Sequence, residues 1–136
     1  MSKDDILENV MTINPIYATK HNTIIQVMEL FSKFDLHHIP VLENEKIIGI
    51  ISTKDVVKHL LKLLIQNESN GKQVIENLLV ENIMTANPQC LLPEEKISLA
   101  AKIMLGRKFN SIPVAENGEL KGIITTKDIL NHLIKN

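Results

Sequence analysis

Two short segments carry the residues best suited to holding a ligand, Ser52-Thr53-Lys54-Asp55 and Thr125-Thr126-Lys127-Asp128. Each follows a Gly-Ile-Ile run (Gly49-Ile50-Ile51 and Gly122-Ile123-Ile124), where an apolar strand should give way to a helix. A carboxylate in that place suits a vicinal diol, and a helix N-terminus favours a phosphate. The same Ser/Thr-x-x-Asp spacing is also a capping box, which starts a helix and needs no ligand. Lys54 and Lys127 are placed to neutralise a phosphate or simply to stay solvated. Asp55 with His59, and Asp128 with His132, are i,i+4 pairs, but two ligands per helix do not complete a metal site. A weak surface pair is the simpler reading. His37 and His38 would point to opposite faces of a strand and make a poor chelate. Cys90 has no nucleophile motif around it. Gly71-Lys72 lacks the rest of a P-loop, and Gly-x-Ser-x-Gly, Cys-x-x-Cys and His-Glu-x-x-His are all missing. With no acid/base or nucleophile constellation, an enzyme is not expected.

The composition narrows the partners. The 136 residues are 44% hydrophobic and 23% charged, as in a soluble globular domain. A net charge of −1 courts neither a polyanion nor an anionic membrane. Aromatics are only 3% (Tyr17, Phe31, Phe34 and Phe109), too few for a base-stacking platform, so no nucleic acid is expected. One cysteine cannot form an internal disulfide, which fits a reducing cytosol. MSKDDILENV does not read as a signal peptide, and no apolar stretch approaches a membrane span. A cytoplasmic protein is expected.

The chain is an internal duplication. Residues 8–63 slide onto 81–136 without a gap. Glu8-Asn9-Val10-Met11-Thr12 meets Glu81-Asn82-Ile83-Met84-Thr85, and Ile39-Pro40-Val41 meets Ile112-Pro113-Val114. More than a third of the pairs are identical, where chance gives about one in fifteen to twenty. Each copy reads β-α-β-β-α, an α/β (α+β) class. Short first strands fall at 16–19 and 89–92, and helical spacing covers 23–35 and 96–108. Strands at 39–42 and 47–51 flank a turn at Glu43-Asn44-Glu45. The matching turn, Glu116-Asn117-Gly118, has the Asn-Gly pair of a tight hairpin. Second helices begin near Thr53 and Thr126. The expected division is a first repeat over 1–66 with its N-terminal helix, a linker over 67–72, and a second repeat over 73–136 led by a short helix at 73–79.

Units this small bury too little apolar surface to stand alone. Helix 23–35 carries Ile24, Ile25, Val27, Met28, Leu30, Phe31 and Phe34, an arc too wide for one sheet. The second helix does the same with Val56, Val57, Leu60, Leu61, Leu63, Leu64 and Ile65. Helices apolar on two sides are buried on two sides, by a sister repeat or another chain. A homodimer is expected.

Met-Thr-x-x-Pro, then Ile-Pro-Val, then Gly-Ile-Ile-Ser/Thr-x-Lys-Asp, occurring twice and in register, closely resembles the cystathionine β-synthase (CBS) domain. The resemblance implies two repeats packed sheet to sheet as a pseudo-two-fold pair. It also implies clefts between them for adenosyl ligands such as AMP, ADP, ATP or S-adenosylmethionine, and a disc-like dimer of pairs. By the same resemblance Asp55 and Asp128 accept hydrogen bonds from ribose hydroxyls, with Ser52 and Thr125 near the ribose or phosphate. Thr12 and Tyr17, with Thr85 and Cys90, match positions lining the adenine pocket, although plain packing explains them as well. His37 and His38 stand where the family has basic residues facing phosphates. Their counterparts Asn110 and Ser111 carry no charge, so the two sites should differ in anion affinity. The expected function is a sensor that signals to an unidentified protein partner. An interaction scaffold with empty, degenerate clefts is the alternative.

Overall fold

The computed structural model describes residues 5–66, 71–107 and 109–135. In chain order it holds a 3-10 turn (Leu7–Asn9), β1 (Ala18–Thr19), α1 (Ile24–Phe34), β2 (His38–Glu43), β3 (Lys46–Ser52) and α2 (Thr53–Gln66). There follow α3 (Gly71–Glu76), α4 (Val80–Ile83), β4 (Thr85–Ala86), α5 (Ile97–Arg107), β5 (Ser111–Glu116), β6 (Glu119–Thr125) and α6 (Thr126–Lys135). Local chemistry sets these bounds. The Thr23 hydroxyl accepts from Gln26 N while the Gln26 side chain accepts from Thr23 N, and this reciprocal box starts α1. Asp35, in the left-handed region at φ 52, ends it. Both hairpins turn on two residues of positive φ, Asn44 (52) with Glu45 (68), and Asn117 (54) with Gly118 (81). That is the type I′ pattern whose twist matches the flanking strands.

Three expectations shift. The first strands are shorter than 16–19 and 89–92. β1 keeps Ala18 and Thr19, paired parallel to Val41 and Leu42, while the second repeat keeps one bridge from Leu91 to Val114. There Leu91 N donates to Pro113 O and its carbonyl accepts from Ala115 N. Pro93, two residues on, has no N–H with which to continue a ladder. The leading helix at 73–79 is instead α3 and α4, separated by a short break. Residues 67–70 of the expected linker lie outside the described residues, and Gly71 and Lys72 open α3.

The chain gathers into two compact units, and neither coincides with 1–66 or 73–136. The Asp128 unit comprises the N-terminal segment through Pro15, Glu45–Ile47 and the chain from Gln89 onward. The Asp55 unit comprises Ile16–Asn44 and Ile48–Pro88. Each leading segment therefore belongs with the body of the other repeat. Burial is the cause. Leu7 and Val80 occupy equivalent repeat positions and both are fully buried. Leu7 joins Leu91, Ile97, Ala100, Met104, Ile112, Val114 and Ile124 in one core. Val80 joins Ala18, Ile24, Val27, Phe31, Ile39, Val41, Ile51 and Val56 in the other. Backbone bonds repeat the pattern. Leu7 N donates to Glu95 O (2.8 Å) and Ile97 N to Asp5 O (2.9 Å); Val80 N donates to Asn22 O (2.8 Å) and Ile24 N to Leu78 O (2.9 Å).

In the Asp55 unit, β1, β2 and β3 lie side by side, and β4 runs antiparallel to β3 through Gly49–Ala86 and Ile50–Thr85. In the Asp128 unit β5 and β6 form a hairpin from Ser111–Thr125 to Glu116–Glu119, and Thr12 bridges β6 at Ile123. Only one side of the wide apolar helices is covered. α2 buries Val56 alone and exposes Val57, Leu61, Leu64 and Ile65, while α6 buries no residue and exposes Leu130, Leu133 and Ile134.

Candidate functional site

Strand-to-helix junctions build equivalent sites in the two units. In the Asp128 unit, Asp128 N donates to Thr125 Oγ1 (3.0 Å) and Thr125 N donates to Asp128 Oδ2 (3.0 Å), a complete capping box. The carboxylate has a second donor from far along the chain. Thr12 Oγ1 lies 3.0 Å from Asp128 Oδ1 and 3.2 Å from Oδ2. Thr12 is delivered there by a reciprocal backbone pair with Ile123, both bonds 2.9 Å. The pair needs a glycine next door: a Cβ on Gly122 would sit 2.7 Å from Thr12 O and 2.8 Å from Met11 Sδ. Close approach of Met11-Thr12 is thus the physical reason for glycine before Ile123-Ile124.

The Asp55 unit repeats the plan with differences. Asp55 N donates to Ser52 Oγ (3.0 Å). Gly49 again admits the leading Met-Thr, since a Cβ there would lie 2.5 Å from Met84 Sδ and 3.0 Å from Thr85 O. Thr85 pairs with Ile50 just as Thr12 pairs with Ile123. Among the described residues, however, no side-chain hydrogen bond joins Thr85 to Asp55. His38 is half-buried, and burial pushes its imidazole below the ordinary value of 6.5, the neighbouring His37 adding to that while Asp55 opposes it. His37 lines a different surface, a recess of about 310 Å³ with Met28, Phe31, Leu36, Val56 and Leu60. His37 precedes β2, so only His38 lies on the strand.

The residues singled out in the sequence therefore sort across the repeats. Thr12, Cys90, Thr125, Lys127 and Asp128 fall in the Asp128 unit; Tyr17, His37, His38, Ser52, Lys54, Asp55 and Thr85 fall in the Asp55 unit. Tyr17, Lys54 and Lys127 are exposed, and Cys90 is half-buried with its thiol pushed up by burial, away from thiolate chemistry. Two features escaped the sequence. His132 pairs with Asp5, Nε2 to Oδ2 3.1 Å, across the fold. Ser111, opposite Thr125 on the hairpin, has a buried hydroxyl with no hydrogen-bond partner among the described residues. Among the described residues, no group of three or more His, Cys, Asp or Glu side chains could hold a metal, and no helix is long and apolar enough to cross a membrane.

The family model that matches this chain is the CBS domain, over residues 5–62 and again over 80–135. The chain belongs to the CBS domain family. It is 30% identical over 125 residues to the inosine-5'-monophosphate dehydrogenase of Aquifex aeolicus, covering 90% of this chain and 23% of that protein. It is 31% identical over 128 residues to an uncharacterized protein of Methanocaldococcus jannaschii, covering 92% of this chain and 43% of that one. The chain thus spans less than half the length of these relatives. Among solved structures, CBSX2 in complex with AMP superposes with a TM-score of 0.80 at 21% identity, over 96% of each chain. The CBS domain pair of protein MJ0100, in complex with 5'-methylthioadenosine and S-adenosyl-L-methionine, gives 0.77 at 21% identity, over 96% of this chain and 97% of that one. The fold of this CBS pair is the fold of those chains.

Proposed function

We propose that this CBS pair is a regulatory module that binds adenosyl ligands at the Asp128 and Asp55 sites and signals by a change of shape to a protein partner. The observation that carries this reading is the meeting of Thr12 with the Asp128 carboxylate at a strand-to-helix junction. A hydroxyl, a carboxylate and the first amides of a helix converge there from sequence-distant segments. A ribose diol would be held by the carboxylate and a phosphate, where present, by the helix start. The AMP and S-adenosyl-L-methionine complexes of two chains of the same fold support the ligand class. AMP, ADP, ATP and S-adenosylmethionine are the candidates, binding rather than catalysis is the output, and the cytoplasm is the compartment. Exposed Val57, Leu61, Leu64 and Ile65 on α2, with Leu130, Leu133 and Ile134 on α6, favour a homodimer that covers them. Sedimentation should give twice 15.3 kDa.

The scaffold reading has one observation in its favour. The Asp128 carboxylate already accepts the Thr125 N–H in a helix cap and is further engaged by Thr12. Calorimetric titration with the four ligands separates the readings. Asp55→Asn and Asp128→Asn should each lower affinity at their own site about tenfold to several-hundredfold, the loss of charge-assisted bonds of about 1.5–3 kcal/mol apiece. Absence of binding by all four ligands to the wild type leaves the scaffold.

A further inference from the structure

We propose, resting on the ligand-site reading above, that the Asp5–His132 contact is a positioning strap that keeps Thr12 on the Asp128 carboxylate. His132 Nε2 lies 3.1 Å from Asp5 Oδ2, with the histidine side chain 14% exposed and the aspartate 38%. His132 stands one turn beyond Asp128 on α6, on the same helical face. Asp5 is itself held from behind, because its carbonyl accepts the Ile97 N–H (2.9 Å) at the start of α5. The leading segment thus grips α6 at two points, Asp5 on His132 and Thr12 on Asp128, with the fully buried Leu7 between them. Neither grip alone fixes the tilt of α6 against this segment; two grips one turn apart do.

The Asp55 unit supplies the comparison. His59 matches His132, yet the residue matching Asp5 is Leu78, which has no charge to offer. Among the described residues of that unit no side-chain hydrogen bond joins Thr85 to Asp55, although Thr85 pairs with Ile50 as Thr12 pairs with Ile123. The strap and the Thr–Asp bond are present together in one unit and absent together in the other. Asp5 and His132 are therefore positioning residues for the Asp128 site, and Asp128 is preorganised where Asp55 is not.

Amide hydrogen exchange on the full chain, without ligand, tests the strap. Asp5→Lys and His132→Asp should each speed exchange of the Thr12 and Ile123 amides about three- to fivefold, the scale of a partly exposed polar side-chain pair. The Thr85 and Ile50 amides should not change. The charge-swapped double variant should restore the slow exchange, a rescue that mere loss of packing cannot give. Unchanged exchange in the single variants, or additive losses in the double, overturns the strap. If a charge reversal prevents folding, Asp5→Asn and His132→Gln give the same comparison without repulsion. An AMP titration of the same variants in the Asp55→Asn background judges the ligand reading separately. Affinity lost in the singles and regained in the double ties the strap to the site, whereas no AMP binding in any variant overturns the site reading and leaves the exchange result to decide the strap.

Discussion

Gly122→Ala should destabilise the chain by far more than a methyl group normally does. The added Cβ would lie 2.7 Å from Thr12 O and 2.8 Å from Met11 Sδ, whereas ordinary contact begins near 3.4 Å. The Met11 thioether is flexible and can step aside. The Thr12 carbonyl cannot, because it accepts the Ile123 N–H while Thr12 N donates back, both at 2.9 Å. Moving that oxygen by several tenths of an ångström strains or breaks the pair. Two backbone bonds at about 1 kcal/mol each, plus about 1–2 for residual crowding, less about 0.5–1 for the stiffer unfolded chain, leave a net loss of about 2–3.5 kcal/mol. Gly106→Ala is the control. Gly106 lies in α5 with nothing within 4 Å of its virtual Cβ, so alanine should stabilise by up to about 1 kcal/mol. Urea unfolding reads both as shifts of midpoint at constant slope. If the two variants shift the midpoint alike, the leading segment does not sit against Gly122, and the assembly of the Asp128 site described above is wrong.

Three further outcomes are expected. Glu45 holds φ 68 at the turn position where the second repeat has Gly118, so Glu45→Gly should raise stability by about 1 kcal/mol, and a loss in urea midpoint would show the turn is not strained. Ser111→Ala removes a buried hydroxyl that has no partner among the described residues and should stabilise by about 1 kcal/mol; a clear drop in melting temperature would reveal a bond to that oxygen. Burial holds His38 below 6.5 in the folded chain, so as pH falls through that value the unfolded chain takes the proton first and stability declines toward the depressed folded value. Above pH 6.5 this contribution is fully present, and His38→Gln should flatten that part of the pH–stability curve measured by urea unfolding.

Much of this was written locally. The Ser52/Asp55 and Thr125/Asp128 caps, the Asn117-Gly118 turn and the apolar spacing of Ile24, Val27 and Phe31 each depend on residues within a few positions, and each formed as its chemistry dictates. What escaped was any choice between equivalent partners. Leu7 and Val80 sit in register, both apolar, each flanked by the same Glu-Asn-x-Met-Thr, so periodicity gives no reason to assign a leader to one body rather than the other. His132 had a nearer carboxylate four residues back in Asp128, and only the folded path of the leading segment brings Asp5 to it. Strands of two residues, β1 and β4, are too short to show alternation at all.

The exchange of leading segments gives the duplication a chemical consequence. The hydroxyl that meets Asp128 comes from residue 12, and the glycine that admits it lies in the second repeat, as Gly49 in the first repeat admits Met84-Thr85 from the second. A single repeat therefore has a carboxylate and a cap but must receive its leading Met-Thr from elsewhere. The in-register match of the two copies then has a direct physical reason: each leader must fit a glycine and a strand that belong to the other copy. Drift in one repeat would spoil a junction assembled with the other, so the two Gly-Ile-Ile-Ser/Thr-x-Lys-Asp segments and the two Met-Thr leaders form one set of mutually constrained parts.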